Sequence, residues 1–411
     1  MRLCFVVQRY GASIAGGAEY HCRLVAERLA RRARVEVITT CASDYLTWAN
    51  CEPEGLSELN GVAVRRFAVE RPRDAVRFAE LTARLFGEPA RTEPGRVDVE
   101  RARRAAPADA ERWLEEQGPF APGLVRHLAA SRRDHDAFVF FSYRYYPTCR
   151  GLPAVAERAL LVPTAEDDGA YHLPLYPPLF RAPRAIVFNS VEEREMLRRA
   201  VGPSLAGGDV VGVGSEVPAR MDAEGFRRRH GIDGPFLLYV GRVDLNKGCP
   251  QLFELFLRYR RETGSRLRLV LLGQSVLPIP NDAGLVPLGF KPDQEKWDAL
   301  SASLAFVMPS RFESLSIATL EAWWAERPVL VNAKCDVLRG QCKRSNAGLY
   351  YASYEEFREA LALLESSADL RERMGRKGRT YYEANYAGDV IETKYLALLE
   401  PLRAASARLT A

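Results

Sequence analysis

Short apolar runs recur along this chain, each bounded by glycine or polar residues, and the stretches between several of them carry helical rather than strand spacing. The runs fall at 3–7, 35–39, 137–141, 159–162 and 185–188, and again at 236–240, 267–272, 304–308 and 329–331, with an edge strand expected at 349–351. Residues 19–31 and 191–199 repeat their apolar side chains at helical period. Strands and helices in alternation imply a parallel sheet with helices on both faces, because parallel neighbours need a crossover. The sequence therefore predicts an α/β fold built from doubly wound parallel sheets.

A chain of 411 residues exceeds what one hydrophobic core ordinarily serves, so two domains of roughly 200 residues are expected. The strand pattern pauses at Val217-Pro218 and restarts after a helix at 222–230, which places the boundary near 205–220. The expected division is 1–210 and 211–388, with a last segment at 389–411. Residues 74–133 are rich in Ala, Arg and Glu and hold no convincing strand. They read as a mainly helical insertion, broken at Pro89, Pro94, Pro107 and Gly118-Pro119, that either covers the sheet or caps an acceptor. Helices at 354–365, 369–385 and 389–404 complete the pattern.

With 47% apolar and 27% charged residues, the composition excludes disorder, fibre and coiled coil. The net charge of +5 is mild, but Arg28, Arg31, Arg32 and Arg34 crowd the first helix and Arg65, Arg66, Arg71 and Arg73 follow. They form either a solvated surface or a basic face for anionic lipid headgroups or a phosphorylated acceptor; no nucleic-acid module accompanies them. The eight cysteines include no C-x-x-C pair, which argues against zinc and a disulfide framework. No apolar run approaches a membrane span and no signal peptide precedes the first strand, so a cytoplasmic protein is expected.

Two strand ends carry the chemistry. The run at 236–240 hands over to Gly241-Arg242 and then Lys247-Gly248. Cations beyond a strand end neutralise a diphosphate, and the glycines let backbone approach it. The run at 304–308 leads to Pro309-Ser310-Arg311-Phe312-Glu313 and a helix bearing Glu321. Glu313, in the loop, is placed to accept hydrogen bonds from sugar hydroxyls and Glu321 from a ribose; the bland alternative is a helix N-terminal acid and a solvated one. The loop from Gly11 through Gly16-Gly17 to Glu19 could wrap a phosphate or a sugar, although it is no G-x-G-x-x-G fingerprint. Glu166, Asp167 and Asp168 follow another strand end, without further ligands to complete a Mg²⁺ shell. Of the five histidines, all read as isolated, His172 alone lies close to that acidic loop.

Together these residues resemble glycosyltransferase family 4, retaining nucleotide-sugar-dependent enzymes of the GT-B fold. Val240-Gly241-Arg242 with Lys247-Gly248 is similar to that family's donor-diphosphate loop, and Pro309 through Glu313 to Leu320-Glu321-Ala322 to its two-glutamate signature. Gly16-Gly17-Ala18-Glu19 resembles its first loop and Asn189-Ser190 a turn late in its first domain. The resemblance implies two Rossmann-like domains facing across a cleft, acceptor on the first and donor on the second, with the last helix crossing back to the first.

It also implies roles. Arg242 and Lys247 would grip the diphosphate with backbone amides near Ser314, Leu315 and Ser316; Glu313 would orient the sugar; Glu321 would bind ribose; backbone near Phe290 would read the base. Gly16, Gly17 and Gly241 would give close backbone approach, and Glu166, Asp167 and His172 would face acceptor or donor sugar. Neither cofactor nor metal is implied beyond the donor, UDP- or GDP-linked. The acceptor would be a glycan, a lipid-linked molecule or a small molecule, with peripheral membrane contact through the basic face. Three departures stand out: Glu313-Ser314-Leu315-Ser316 replaces the frequent E-G-F-G, Glu166 stands where a histidine is usual, and Ala387-Gly388 lacks a usual aromatic. Two rival functions remain, another GT-B enzyme such as a nucleotide-sugar 2-epimerase, and a non-catalytic nucleotide-sugar-binding protein.

Overall fold

A computed structural model describes residues 1–14, 16–87 and 97–410, with the side chains of 404–410 left aside. Ala15 and the breaks expected at Pro89 and Pro94 lie outside the described residues. The chain divides into two compact units, one running to Val213 and resumed from Gly388, the other spanning Gly214–Ala387.

The first unit holds β1 (Arg2–Val6), α1 (Gly17–Ala30), β2 (Arg34–Thr40), β3 (Gly55–Leu59), β4 (Val62–Phe67), α2 (Ala75–Phe86), α3 (Val99–Arg103), α4 (Pro107–Gln117), α5 (Pro122–Ala130), β5 (Ala137–Phe141), α6 (Tyr146–Gly151), β6 (Ala159–Val162), α7 (Tyr176–Arg181), β7 (Ala185–Phe188), α8 (Val191–Val201) and β8 (Gly208–Val210). Its eight strands run in the order β3-β4-β2-β1-β5-β6-β7-β8, parallel except for β3. All residues of β5 and β6 are buried, which is why they read as unbroken apolar runs.

Strands β3, β4 and β8 were not among the expected ones. β3 and β8 are short and largely exposed edges, while β4 alternates buried and half-buried residues. The hairpin between β3 and β4 turns at Asn60-Gly61, both at positive φ (50° and 78°), the conformation that an Asn-Gly pair adopts most readily. Asp74 and Asp98 accept hydrogen bonds from the first-turn amides of α2 and α3, which fixes where the helical segment begins its turns.

The expected arginine-rich face is mixed: Arg31, Arg32, Arg34 and Arg71 are exposed, Arg28, Arg65 and Arg73 are half-buried, and Arg66 alone of the eight is buried. Arg66 is 8% exposed and donates to Ser57 Oγ and Tyr10 O; Arg73 donates to the carbonyls of Tyr45, Leu46, Glu116 and Gln117. Arg65 pairs with Glu36 and Arg71 with Glu115. Counting charges along a sequence cannot separate guanidinium groups that face water from those that satisfy loop carbonyls. The histidines are not isolated either: His135 Nε2 lies 3.0 Å from Glu36 Oε2, and His230 bonds Glu295.

The second unit holds α9 (Ala223–His230), β9 (Phe236–Val240), α10 (Cys249–Thr263), β10 (Arg268–Leu272), β11 (Leu285–Gly289), α11 (Asp293–Ala302), β12 (Ala305–Met308), α12 (Ile317–Trp324), β13 (Val329–Asn332), α13 (Asp336–Ser345), β14 (Gly348–Tyr351), α14 (Tyr354–Ser366) and α15 (Ala368–Tyr386). Its sheet is wholly parallel, in the order β11-β10-β9-β12-β13-β14. β11, another strand the sequence reading missed, contains Pro287 and sits on the edge, where a missing N–H costs no ladder bond.

Helix α16 (Gly388–Thr410) belongs to the first unit. Its Tyr395, fully buried, has its hydroxyl 3.1 Å from His21 Nε2, and its Glu392 pairs with Arg28 (3.6 Å) and Arg32. Burial in this contact pushes His21 down to about pKa 3, so the ring stays neutral. Among the described residues no helix is long and apolar enough to cross a membrane.

Candidate functional site

In the second unit the chain leaves β9 towards β10 and β11 on one side and takes up β12, β13 and β14 on the other. The strand order thus reverses between β9 and β12, and in open α/β sheets ligands bind outside the carboxyl ends of the strands at such a point. Gly241, Arg242 and Lys247 follow β9; Glu313, Ser314, Leu315 and Ser316 follow β12.

These two loops are joined. Lys247 Nζ donates to Glu313 Oε1 at 2.7 Å, and a side chain built on Gly248 would stand 2.5 Å from the carbonyl oxygen of Pro309. Asn332 Nδ2 holds the same carbonyl at 2.9 Å, and Gln341 Nε2 holds Leu315 O at 2.9 Å. Neighbouring strand ends are tied through backbone: Gly241 N–H donates to Leu272 O and Gly273 N–H to Gly289 O, each at 2.9 Å.

Asp244, which the sequence reading passed over, organises the cationic loop. Its Oδ1 accepts the Lys247 amide at 2.7 Å and its Oδ2 accepts Arg242 Nε, while its side chain is nearly buried. Tyr239 Oη donates to the Arg242 carbonyl at 2.7 Å, fixing the turn from beneath. The cations are thereby held in place before any anion arrives, which is the condition for electrostatic stabilisation without reorganisation.

Ser316 begins α12 at φ 68°, a left-handed conformation that costs a non-glycine residue about 1–2 kcal/mol. The hydrogen bond between Ser316 Oγ and Thr319 Oγ1, 2.9 Å, helps to hold it there. Glu321 lies one turn further, 3% exposed, paired with Lys296 Nζ at 2.6 Å. Phe290, after β11, is 70% exposed, and Val276 and Leu245, at the ends of β10 and β9, are 62% and 37% exposed. Three uncovered apolar side chains at consecutive strand ends give this edge an apolar rim beside its charges, a combination suited to a base and a diphosphate.

The other expected site residues lie in the first unit, around the ends of β1, β5, β6 and β7. Gly16 is in extended backbone, and a side chain on it would meet Glu19 Oε2 at 2.1 Å; Glu19 is bound by Arg9 Nη2 at 2.7 Å, with Gly17 starting α1 beside it. Asp167 accepts from Tyr171 Oη at 2.7 Å and Asp168 pairs with Arg144, so two of the three acids anchor their own loop. His172 packs against Tyr171, ring centres 4.3 Å apart and tilted by 41°, half-buried, and burial lowers its pKa.

Glu166 is presented by a loop with a further anchor. Thr164 takes φ 48°, and the carboxylate of Glu193, fully buried in α8, accepts the Ala165 amide at 2.6 Å and the Asn189 amide at 2.5 Å. Burial raises Glu193 to about pKa 8, against the pull of those two amides. A folded-state pKa above the unfolded one means that its contribution to stability is full below about pH 4.5 and is lost as pH rises through about 8, on the order of 5 kcal/mol. Glu193→Gln is expected to flatten the decline of melting temperature between pH 5 and 8; an unchanged slope would exclude Glu193 as its source. Among the described residues, no cluster of three or more His, Cys, Asp or Glu is placed to hold a metal ion.

Residues 222–381 match the family model described as glycosyl transferases group 1, which covers the whole candidate donor site. No curated protein matches the chain. The fold is shared with solved GT-B glycosyltransferase structures. Sucrose-phosphate synthase from Thermosynechococcus elongatus is 15% identical, with a TM-score of 0.68 over 98% of this chain and 99% of that one. HepE from Anabaena in complex with UDP and glucose is 13% identical, TM-score 0.69, over 98% and 100%. An α,α-trehalose-phosphate synthase (UDP-forming) from Burkholderia vietnamiensis is 13% identical, TM-score 0.68, over 98% of both chains. Two Rossmann-like parallel-sheet units and the family match to the second together support a glycosyltransferase.

Proposed function

We propose that this protein is a retaining, nucleotide-sugar-dependent glycosyltransferase that moves a sugar to an acceptor hydroxyl during glycan, polysaccharide or glycoconjugate synthesis. The observation that carries the reading is the Lys247–Glu313 pair, 2.7 Å, which brings a cation and a carboxylate together at the strand-order reversal of the unit matched by the family model. Arg242 and Lys247 would offset the negative charge that grows on the diphosphate as the bond from the anomeric carbon to the phosphate oxygen breaks. The acceptor oxygen would bond to that carbon from the leaving group's face and pass its proton to the departing phosphate. Glu313 would orient the sugar, Glu321 the ribose, and the backbone near Phe290 the base.

No metal or cofactor is assigned a role in this scheme. The acceptor is a glycan, lipid-linked or small-molecule hydroxyl, and the working place is the cytoplasm or the inner membrane face. The 2-epimerase reading, which would recruit acids from the 166–168 loop, is disfavoured because Asp167 and Asp168 are engaged with Tyr171 and Arg144.

Calorimetric titration with UDP, GDP, ADP and dTDP, in EDTA and again in Mg²⁺, tests the reading. Selective binding of one nucleotide, equal in both buffers, is expected. Binding of none would overturn it.

A further inference from the structure

Helix α11 starts directly after Phe290-Lys291-Pro292, the segment at the end of β11, and Lys296 stands in its first turn. The ammonium of Lys296 reaches across to α12, 2.6 Å from Glu321 Oε1, with Asp293 Oδ1 at 3.3 Å and the Trp297 ring centre at 5.4 Å. The two side chains are 13% and 3% exposed, so both charges are largely withdrawn from water.

Burying an ion pair of this kind adds little net stability compared with apolar side chains of the same volume. Its use is better sought in what it does to Glu321. A carboxylate on a flexible side chain can rotate; one whose Oε1 is fixed by an ammonium has a single orientation and one remaining oxygen on which to accept. The same ammonium also makes the helix that leads away from the exposed Phe290 part of the carboxylate's support.

We infer that Lys296 is a positioning residue that orients Glu321 towards a vicinal diol, and so makes the donor site select ribonucleoside over deoxyribonucleoside diphosphates. The inference rests on the donor-site reading above and adds a residue to it. A site built to hydrogen-bond a hydroxyl pair rejects the analogue without it, because its buried polar group is then left unpaired. Lys296 makes this rejection sharp by preventing Glu321 from turning away to another partner.

The test is calorimetry on the full chain with two probes, UDP and 2′,3′-dideoxy-UDP, or the guanine pair if GDP is the nucleotide bound. The unmodified protein is expected to prefer the ribonucleotide by tenfold or more. In Lys296→Met the ribonucleotide should bind about tenfold more weakly, while the dideoxy form changes by less than twofold; Lys296→Arg should recover most of the preference. Should the Met variant not fold, Lys296→Gln, which keeps a neutral donor, is read by the same ratio. Equal weakening of both probes would reduce Lys296 to a pin between α11 and α12, and an unchanged ratio would equally overturn the inference. Failure of every ribonucleotide to bind the unmodified protein would overturn the donor-site reading itself, so the two failures are distinguishable.

Discussion

Lys247→Ala is expected to lower the turnover of sugar transfer by about 10³-fold and Arg242→Ala by about 10²-fold, with the protein still folded in both cases. The order follows from the surroundings. Lys247 is 30% exposed and bonds Glu313 across the reversal point, so its removal takes away a cation and also leaves a nearly buried carboxylate without its partner. That carboxylate would then repel the very charge that the site must stabilise. Arg242 is 48% exposed and shares its charge with Asp244, so water and the neighbouring acid already dilute its field. Steady-state rates with the identified donor, together with thermal unfolding, check both variants. The double variant Lys247→Ala with Glu313→Gln, read against Glu313→Gln alone, separates lost attraction from added repulsion. Near-normal turnover in the Lys247 variant would remove this loop from the catalytic machinery.

Gly248→Ala is the second large effect, and it acts through backbone. Gly248 takes φ 74°, and the added carbon would stand 2.5 Å from the Pro309 oxygen and 3.2 Å from its carbonyl carbon. Neither atom can move cheaply, because Asn332 holds that carbonyl and β12 ends immediately before it. Left-handed strain plus a backbone collision is expected to cost about 2–4 kcal/mol of stability in the second unit. The loops that carry Lys247 and Glu313 would also be pushed apart, so transfer should fall even where the fold survives. Denaturant unfolding and the rate at a permissive temperature read the two losses separately. Stability within 0.5 kcal/mol of the parent, a window taken from the usual scatter of surface substitutions, would contradict the contact.

Much of the architecture was legible because the inner strands are buried on both faces. Runs such as 137–141, 159–162 and 236–240 announce themselves without any knowledge of the fold, and they match β5, β6 and β9. The edge strands did not, since β3 is nearly all exposed and β11 contains a proline, although Asn60-Gly61 was a readable hairpin signal.

The candidate site divides in the same way. Arg242, Lys247, Glu313 and Glu321 stand next to strand ends and helix starts, so their positions follow from local pattern. Lys296 and Glu193 escaped notice because their significance is tertiary, whereas Asp244 braces residues only two and three positions away and its spacing was a local signal. Lys296 and Glu321 are 25 residues apart in sequence, and Glu193 reaches an amide 28 residues away. A polar residue one turn into an amphipathic helix looks the same whether it meets water or a partner. Within the basic run the converse holds, since Arg66 and Arg73 look like surface charges until the loops they support are known.

The passage of the chain out of the first unit after Val213 and back at Gly388 also bears on how the protein is made. A ribosome delivers the whole of the second unit before it delivers α16, so the second unit can mature while the first is still missing one wall. Until Tyr395, Leu399 and Leu402 arrive, the part of the first unit's core that they cover, beside His21, stays open to water. The half that begins emerging first is therefore the half that finishes last, and a released chain ended at residue 387 is expected to combine a protease-resistant second unit with a protease-sensitive first.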